Sequence, residues 1–214
     1  MNNTTIKICG LSTTETLNAA IDAGADWIGL VAFPPSPRHV EPVDAKPLAD
    51  LARGKAKIVS LSVNADDQLL DEIMVQVNPD IWQFHGKETA ERVAEVKSRY
   101  GRPVMKAVGV STIQDLEKIT PYRGVADYLL LDAKPPKDAV LPGGNGAAFD
   151  WAILDHLPEE LEFMLSGGLS VETVADATRS TRAFGMDVSS GVESAAGIKD
   201  EVLIKRFIDN ARAA

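Results

Sequence analysis

The sequence predicts a single α/β domain over residues 1–214, built as a (β/α)₈ barrel whose eight parallel strands form a closed sheet. Eight short runs rich in β-branched, leucine and aromatic residues alternate with segments of helical periodicity, as in repeated β-α units. Eight units in 214 residues fit a compact barrel better than a doubly wound sheet, although such barrels average about 250 residues. No linker, charge run or low-complexity segment indicates a second domain.

The predicted strands are short and apolar, as expected of strands in a parallel sheet that is buried on both faces. In chain order they are Thr5–Cys9, Trp27–Phe33, Ile58–Val63, Ile81–His85, Val104–Val110, Tyr128–Asp132, Phe163–Ser166 and Phe184–Val188.

Helical spacing and end signals lie between most of these strands. Ser12 and Glu15 have the spacing of a capping box, and Gly24 is a stop signal after the first predicted helix. Three apolar stripes predict buried helix faces: Leu69, Leu70, Ile73, Met74 and Val77; Ala90, Val93 and Val96; and Val202, Leu203, Phe207 and Ile208.

Residues 133–149, AKPPKDAVLPGGNGAAF, interrupt the alternation directly after the sixth strand. A segment of this length without periodicity is commonly functional or mobile in a compact domain. In a barrel it would lie over the carboxyl ends of the strands, so we interpret it as an active-site loop. A plain flexible loop is the alternative.

Polar residues occupy alternate positions in several predicted strands, and a period of two places each set on one face. We expect the apolar sets to pack under the helices and the polar sets to point into the barrel, where opposite charges can pair. The arrangement indicates a catalytic mouth or, alternatively, a polar network that only fixes register. The polar residues concerned are Lys7, Cys9, Ser60, Ser62, Asn64, Gln83, His85, Lys106, Asp132 and Asp187.

Two of these residues are candidates for proton transfer. Cys9 ends the first strand, and its thiolate could act as a general base if a positive charge such as Lys7 lowered its pKa from about 8.5. Asp132 ends the sixth strand, where partial shielding from water could keep its proton available for general acid catalysis. The alternatives are a small buried cysteine and an aspartate that pairs with Lys134.

Glycine-rich loops follow the last two predicted strands. SGGL spans Ser166–Leu169 and SSGVE spans Ser189–Glu193. Glycines let backbone N–H groups approach an anion closely, and barrels commonly bind phosphate after strands seven and eight. We therefore predict a phosphate site here, although ordinary turns would explain either loop alone.

Arg38 lies in FPPSPRHV, residues 33–40, after the second strand. Three prolines stiffen this segment, so Arg38 could be presented as a bidentate clamp for a carboxylate. An exposed arginine without such a role is the alternative.

Composition narrows the class of protein and of partner. The chain has 31 Asp and Glu against 22 Lys and Arg, a formal charge of −9, which disfavours nucleic acid and membrane-surface partners. One cysteine excludes an internal disulfide, MNNTTIKICG lacks a signal-peptide pattern, and runs such as Trp27–Phe33 are too short to cross a bilayer. We expect a soluble cytoplasmic protein.

No metal or dinucleotide motif is present in the sequence. The three histidines, His39, His85 and His156, are scattered among different elements, which is not the spacing of a metal site. GGNG, residues 143–146, lies in the long loop rather than between a strand and a helix, the context that a dinucleotide site requires.

The ordered set of these segments resembles the phosphoribosylanthranilate isomerases of tryptophan biosynthesis over nearly the whole chain. The matching segments are KICG (7–10), SPRHV (36–40), QFHG (83–86), LLLDAK (129–134), GGNGAAFDW (143–151), SGGL (166–169) and DVSSGVE (187–193). Asn145 stands where family members often have Thr, and Ser166 where they often have Ala.

This resemblance implies a TIM barrel and an Amadori rearrangement of N-(5-phosphoribosyl)anthranilate to 1-(2-carboxyphenylamino)-1-deoxyribulose 5-phosphate. It implies no cofactor and no metal, a small-molecule substrate, and a monomer or homodimer. Cys9 falls on the family's general base, Asp132 on its general acid and Arg38 on the group that holds the anthranilate carboxylate. The remaining implied residues are Gln83, His85 and Asp187 for the substrate and Gly167, Gly168, Ser189, Ser190 and Gly191 for its phosphate.

Two other functions compete with this one. A related isomerisation of a histidine-pathway phosphoribosyl substrate would favour a second carboxylate at the end of strand one and a phosphate site for each end of the substrate. Cys9 and the single evident phosphate site argue against it. A non-catalytic phosphate-binding barrel, or a structural partner in a multienzyme complex, would bind without turnover.

Overall fold

Eight parallel strands form a closed barrel in the computed structural model, which describes residues 4–133 and 150–214. Each strand pairs with its neighbour in sequence, and β1 pairs with β8 to close the sheet. The predicted fold class is confirmed. The long loop after β6, with Lys134 and Asn145, lies outside the described residues. The strands are β1 (Thr5–Cys9), β2 (Trp27–Ala32), β3 (Lys57–Ser62), β4 (Ile81–Phe84), β5 (Val104–Val110), β6 (Tyr128–Ala133), β7 (Met164–Leu165) and β8 (Gly185–Val188).

Helices surround the barrel, and a small hairpin follows its last strand. Within the described ranges the α-helices are α1 (Thr14–Asp22), α2 (Pro42–Ala52), α3 (Asp67–Gln76), α4 (Ala90–Tyr100), α5 (Val174–Ser180) and α6 (Glu201–Arg212). Short 3₁₀ helices span Ile113–Tyr122, Trp151–His156 and Ser190–Val192. The antiparallel hairpin consists of β9 (Glu193–Ala195) and β10 (Ile198–Lys199). None of these helices is long and apolar enough to cross a membrane.

The helices agree with the sequence prediction except at the start of α1 and on the buried face of α6. Thr13, not Ser12, caps α1: its hydroxyl accepts a hydrogen bond from the backbone N–H of Thr16. In α6 the predicted stripe is misplaced at its start, because Val202 is 65% exposed and Ile204 is buried instead. Gly101 ends α4 as predicted, in the left-handed conformation at φ 60°.

The apolar core has an outer layer between strands and helices and an inner layer inside the barrel. The inward direction predicted for four polar residues is confirmed by their neighbours. Lys7 is paired in register with Trp27 of the inner layer, and Cys9 lies on the same face of β1. Gln83 and Asp132 share a strand face with the inner-layer residues Ile81 and Leu130. The inner layer at the amino end of the strands consists of Trp27, Val59, Ile81, Met105, Ala107, Leu130 and Met164.

Strand β3 has the opposite orientation to the predicted one. Val59 and Leu61 lie inside the barrel, and Ser60 and Ser62 are on the face that meets the helices. Both faces of a barrel strand are buried, so alternation of small polar and apolar residues does not distinguish them.

Lys106 also lies on the outer face, where it pairs in register with Phe84 and Leu129. Its Nζ donates to Glu88 Oε2 at 3.2 Å and to the carbonyl oxygen of Gly86 at 2.8 Å. The expectation that Lys106 joins the charges inside the barrel is therefore wrong. Its contacts tie the loop after β4 to β5.

Candidate active site

Buried polar side chains collect at the carboxyl ends of the barrel strands. Cys9 is the last residue of β1, Asp132 lies near the end of β6, and Asp187 near the end of β8. Gln83 belongs to β4, and His85 is the first residue after the end of that strand. In a parallel barrel these positions share one end of the molecule, which is where barrel chemistry takes place.

Asp132 is held by two side chains, one from β4 and one from the residue that follows it. His85 Nε2 lies 3.1 Å from Asp132 Oδ2, and Gln83 Nε2 lies 3.3 Å from His85 Nδ1. The imidazole ring is thus held between the Gln83 amide and the Asp132 carboxyl group, which fixes its orientation. The buried Oε1 of Gln83 has no hydrogen-bond partner among residues 4–133 and 150–214.

Cys9 lies beside an ion pair that joins the first and last strands. Lys7 Nζ donates to Asp187 Oδ1 at 2.7 Å, and the Ser166 hydroxyl donates to Asp187 Oδ2 at 3.0 Å. Gly29 leaves room for the thiol, since a Cβ there would lie 2.8 Å from Cys9 Sγ.

Burial dominates the electrostatics of the thiol. It raises the pKa of Cys9 above its ordinary value, and the positive charges of Lys7 and Lys199 offset this only in part. Lys7 thus acts in the predicted direction but does not bring the thiol below its ordinary pKa. Burial lowers the pKa of Lys7 itself, but Asp187 and Cys9 more than compensate, so that pKa is raised and the amine remains charged.

Arg38 is 6% exposed and is drawn into the site rather than left in solvent. Gly10, at φ 79°, makes this approach possible, because a Cβ at that position would lie 2.7 Å from Arg38 Cδ. The side chain binds Glu193 in a bidentate pair, with Nε at 2.7 Å from Oε1 and Nη2 at 2.9 Å from Oε2. Arg38 is therefore held rigidly in an ion pair with Glu193.

The two glycine loops pack directly against each other. Gly167 and Gly168 have φ values of 86° and 68°, a conformation that L-residues with side chains rarely adopt. A Cβ on Gly191 would overlap the carbonyl oxygen of Leu169, so backbone meets backbone where the loops touch. Lys199 Nζ donates to the carbonyl oxygen and hydroxyl of Ser189, at 3.1 and 3.2 Å.

Sequence reasoning missed Glu193 and Lys199 as members of this cluster. The hairpin that carries them packs against the loop of Arg38, because a Cβ on Gly197 would lie 2.5 Å from the carbonyl oxygen of Pro37. Gly197 alone signals a turn after the eighth strand, but nothing local indicates which residue the hairpin meets.

All the predicted site residues lie at the carboxyl end of the barrel. Hydrogen bonds and ion pairs join some of them, with further side chains, into three groups: Asp132, His85 and Gln83; Lys7, Asp187 and Ser166 beside Cys9; and Arg38, Glu193, Lys199 and Ser189. The glycines Gly167, Gly168 and Gly191 belong to the loops described above. In the described part of the chain, no group of three or more His, Cys, Asp or Glu side chains could hold a metal ion.

Comparison with known proteins gives the family of this chain. A family model described as N-(5'-phosphoribosyl)anthranilate isomerase matches residues 6–210. The chain belongs to this family. The isomerase of Bradyrhizobium diazoefficiens is 55% identical over 208 residues, covering 97% of this chain and 93% of that protein.

Solved structures of phosphoribosylanthranilate isomerases have the same barrel. The Thermotoga maritima enzyme superposes with a TM-score of 0.87 at 34% identity, covering 99% of this chain and 100% of that one. A structure of the isomerase with reduced 1-(o-carboxyphenylamino)-1-deoxyribulose 5-phosphate has a TM-score of 0.85 at 33% identity, with the same coverage. Family members include dimers: monomers generated from the dimeric Thermotoga maritima enzyme match at a TM-score of 0.83 and 33% identity, with the same coverage.

Proposed function

We propose that this chain is an N-(5'-phosphoribosyl)anthranilate isomerase of tryptophan biosynthesis, which forms 1-(2-carboxyphenylamino)-1-deoxyribulose 5-phosphate by an Amadori rearrangement. The observation that carries the proposal is the presence of Cys9 and Asp132, within a chain of this family, at the same end of one barrel. Arg38 and the two glycine loops lie at that same end. An acid, a base and two anion-binding groups are what the reaction needs.

The substrate's two anionic ends are held by different chemistry. Backbone N–H groups and hydroxyls of the adjoining loops bind the phosphate: Gly167, Gly168, Ser189, Ser190 and Gly191. Oriented amides can do this in a protein of net charge −9, and the buried Lys199 beside Ser189 adds a positive charge. Arg38 binds the ring carboxylate.

Asp132 opens the sugar. It protonates the ribose ring oxygen, the bond from that oxygen to the anomeric carbon breaks, and the nitrogen lone pair forms the iminium of a Schiff base. The carboxylate that remains accepts a hydrogen bond from His85 at Oδ2, which stabilises its charge. Gln83 orients the histidine ring and offers Oε1 to a substrate hydroxyl.

Cys9 completes the rearrangement. Its thiolate removes the proton from the second sugar carbon, and the released electron pair neutralises the iminium to give an enolamine, which tautomerises to the ketone. Lys7, held by Asp187, stabilises the thiolate. In the reactive form, Cys9 and Asp132 together carry one proton. Asp132 holds this proton, and Cys9 is a thiolate.

Several further properties form part of the proposal. Residues 1–214 form one domain, supported by a single closed barrel and one family match over residues 6–210. The enzyme uses no cofactor, because the iminium nitrogen itself withdraws electrons from the reacting carbon. It is cytoplasmic and acts as a monomer or homodimer on a small molecule, without a nucleic acid or membrane partner.

A fluorescence assay tests the activity. The purified protein is mixed with phosphoribosylanthranilate, and the fall in substrate fluorescence is followed together with formation of the ketose product. We expect turnover without added metal or cofactor. Tight binding of the substrate without product formation would favour a non-catalytic phosphate-binding barrel instead.

A further inference from the structure

The guanidinium of Arg38 has two edges that can each hold a carboxylate. One edge is formed by Nε and Nη2, the other by Nη1 and Nη2. Glu193 occupies the first edge, with contacts at 2.7 and 2.9 Å. Nη1 makes no hydrogen bond to any residue in ranges 4–133 and 150–214. Within these ranges, Glu193 occupies one carboxylate-binding edge of Arg38, and no protein group occupies the other.

Glu193 is itself fixed from several sides. Lys199 Nζ donates to Oε1, and the backbone N–H of Gly197 donates to Oε2 at 3.1 Å. Its side chain is 4% exposed. Burial would raise the pKa of Glu193, but the hydrogen bonds from Arg38 and the charge of Lys199 outweigh it and hold that pKa below its ordinary value. Glu193 is therefore a rigid anion.

The cluster of Arg38, Lys199 and Glu193 has a net charge of +1. Arg38 and Lys199 carry two positive charges, and Glu193 carries one negative charge. Burial of an unbalanced charge is costly, so an anion next to this cluster, such as a carboxylate at the second edge of Arg38 or a phosphate beside Lys199, would be stabilised. A side chain of arginine also has several rotatable bonds, and fixing them beforehand reduces the entropy lost on binding.

We propose that Glu193 is a positioning residue that aims the Nη1/Nη2 edge of Arg38 at the substrate's ring carboxylate and thereby sets specificity for it. The proposal rests on the proposed function, in which Arg38 binds that carboxylate. Glu193 does not contact the substrate. It acts by occupying the other edge of the guanidinium, which excludes the alternative orientation.

The test compares two ligands that differ only in the carboxylate. One is the reduced product analogue, 1-(2-carboxyphenylamino)-1-deoxyribitol 5-phosphate; the other is its phenylamino counterpart without the carboxylate. Their dissociation constants are measured by titration calorimetry on the full chain. We expect the unsubstituted protein to prefer the carboxylate by about tenfold to a hundredfold, as charge-assisted hydrogen bonds allow.

Glu193→Gln should reduce this preference at least fivefold, on the order of one lost charge-assisted contact, and leave the phenylamino ligand within about twofold. Glu193→Asp keeps the charge but shortens the side chain, so it should also reduce the preference while preserving the fold if the Gln variant does not fold. Glu201→Gln removes an equal charge from the exposed first turn of α6 and should change neither constant.

The outcomes separate the two proposals. Equal weakening of both ligands by the foldable Glu193 variants would show a structural role only and overturn the inference, as would an unchanged preference. Arg38→Ala should abolish the preference and raise the KM of the substrate. If it does neither, the assignment of Arg38 in the proposed function fails, and the role of Glu193 fails with it.

Discussion

Cys9 and Asp132 are both almost completely buried, but their surroundings differ. The Asp132 carboxyl group lies 3.1 Å from Nε2 of His85, while the thiol of Cys9 faces the ammonium of Lys7 beside Asp187. The cation beside the thiol favours the thiolate that the proposed reaction requires, and the imidazole beside Asp132 stabilises the carboxylate that is left once this residue has given up its proton. Neither group reaches into bulk water, so its proton exchange depends on these neighbours.

Replacement of either residue should reduce turnover without unfolding the protein. We expect Cys9→Ala and Asp132→Asn each to lower kcat by about 10²- to 10⁴-fold, because each removes one proton-transfer group. Steady-state kinetics on variants with native circular dichroism measures this. Asp155→Asn, an exposed change of the same chemistry, is the control and should retain full activity. Near-normal kcat in either site variant would contradict its role.

The pH dependence of kcat/KM should reflect the raised pKa of the thiol. Cys9 and Asp132 share one proton in the reactive form, so activity falls once both are ionised at high pH. Because burial raises the pKa of Cys9, this alkaline fall should lie above the ordinary thiol value of about 8.5. An alkaline limb below that value, with the substrate's own ionisations corrected, would show that the thiol is not the titrating group.

The start of a helix is set by one or a few side chains that are close to it in the sequence. Thr13, Asp66, Thr89 and Asp200 each cap a helix through a side-chain oxygen. Such contacts span three residues or fewer and can be read from local sequence. The hairpin β9–β10 is different, because its role comes from contacts with the loop of Arg38, about 155 residues away.

Disturbing the contact between the two glycine loops should weaken the binding of phosphate. Gly191→Ala places a Cβ against the carbonyl oxygen of Leu169, so one loop must move away from the other. We expect the inhibition constant of inorganic phosphate, measured as a competitive inhibitor, to rise about tenfold or more, comparable to one or more lost hydrogen bonds to a charged group.

Gly54→Ala serves as the control for that experiment. Gly54 has φ 78° but open space around its Cβ position, so the substitution introduces backbone strain of about 1–2 kcal/mol without a clash near the site. It should lower thermal stability and leave phosphate inhibition unchanged. Equal phosphate inhibition in the Gly191 variant and the unsubstituted protein would remove these loops from the phosphate site.

Barrel closure brings the first and last strands together around one buried charge pair. Lys7 and Asp187 are opposite each other in the β1–β8 register and form an ion pair at 2.7 Å. The pair therefore belongs both to the closure of the sheet and to the environment of Cys9.

Loss of one member of this pair should destabilise the whole barrel. Lys7→Met leaves Asp187 buried without its cation, which we expect to reduce the free energy of unfolding by about 3–5 kcal/mol in urea denaturation. The double variant Lys7→Met, Asp187→Leu removes both charges and should recover most of that loss. A double variant as unstable as the single one would mean that packing rather than the unpaired charge is responsible.

The sequence by itself determined the order of strands and helices, the barrel class and the residues that stand at the carboxyl ends of strands. These follow from periodicity, caps and glycines, which act over a few residues. The resemblance to phosphoribosylanthranilate isomerases supplied the residue roles, and the family is confirmed. The catalytic and binding roles themselves stay predictions.

Only the tertiary structure decided which face of β3 lies inside the barrel, that Lys106 pairs with Glu88 on the outer face, and that Arg38 is paired with Glu193. Both faces of a barrel strand are buried, so hydrophobic alternation cannot distinguish inside from outside. Ion pairs between distant segments depend on how the chain closes, and burial of the thiol depends on every element around it. These properties arise from packing across the sequence rather than along it.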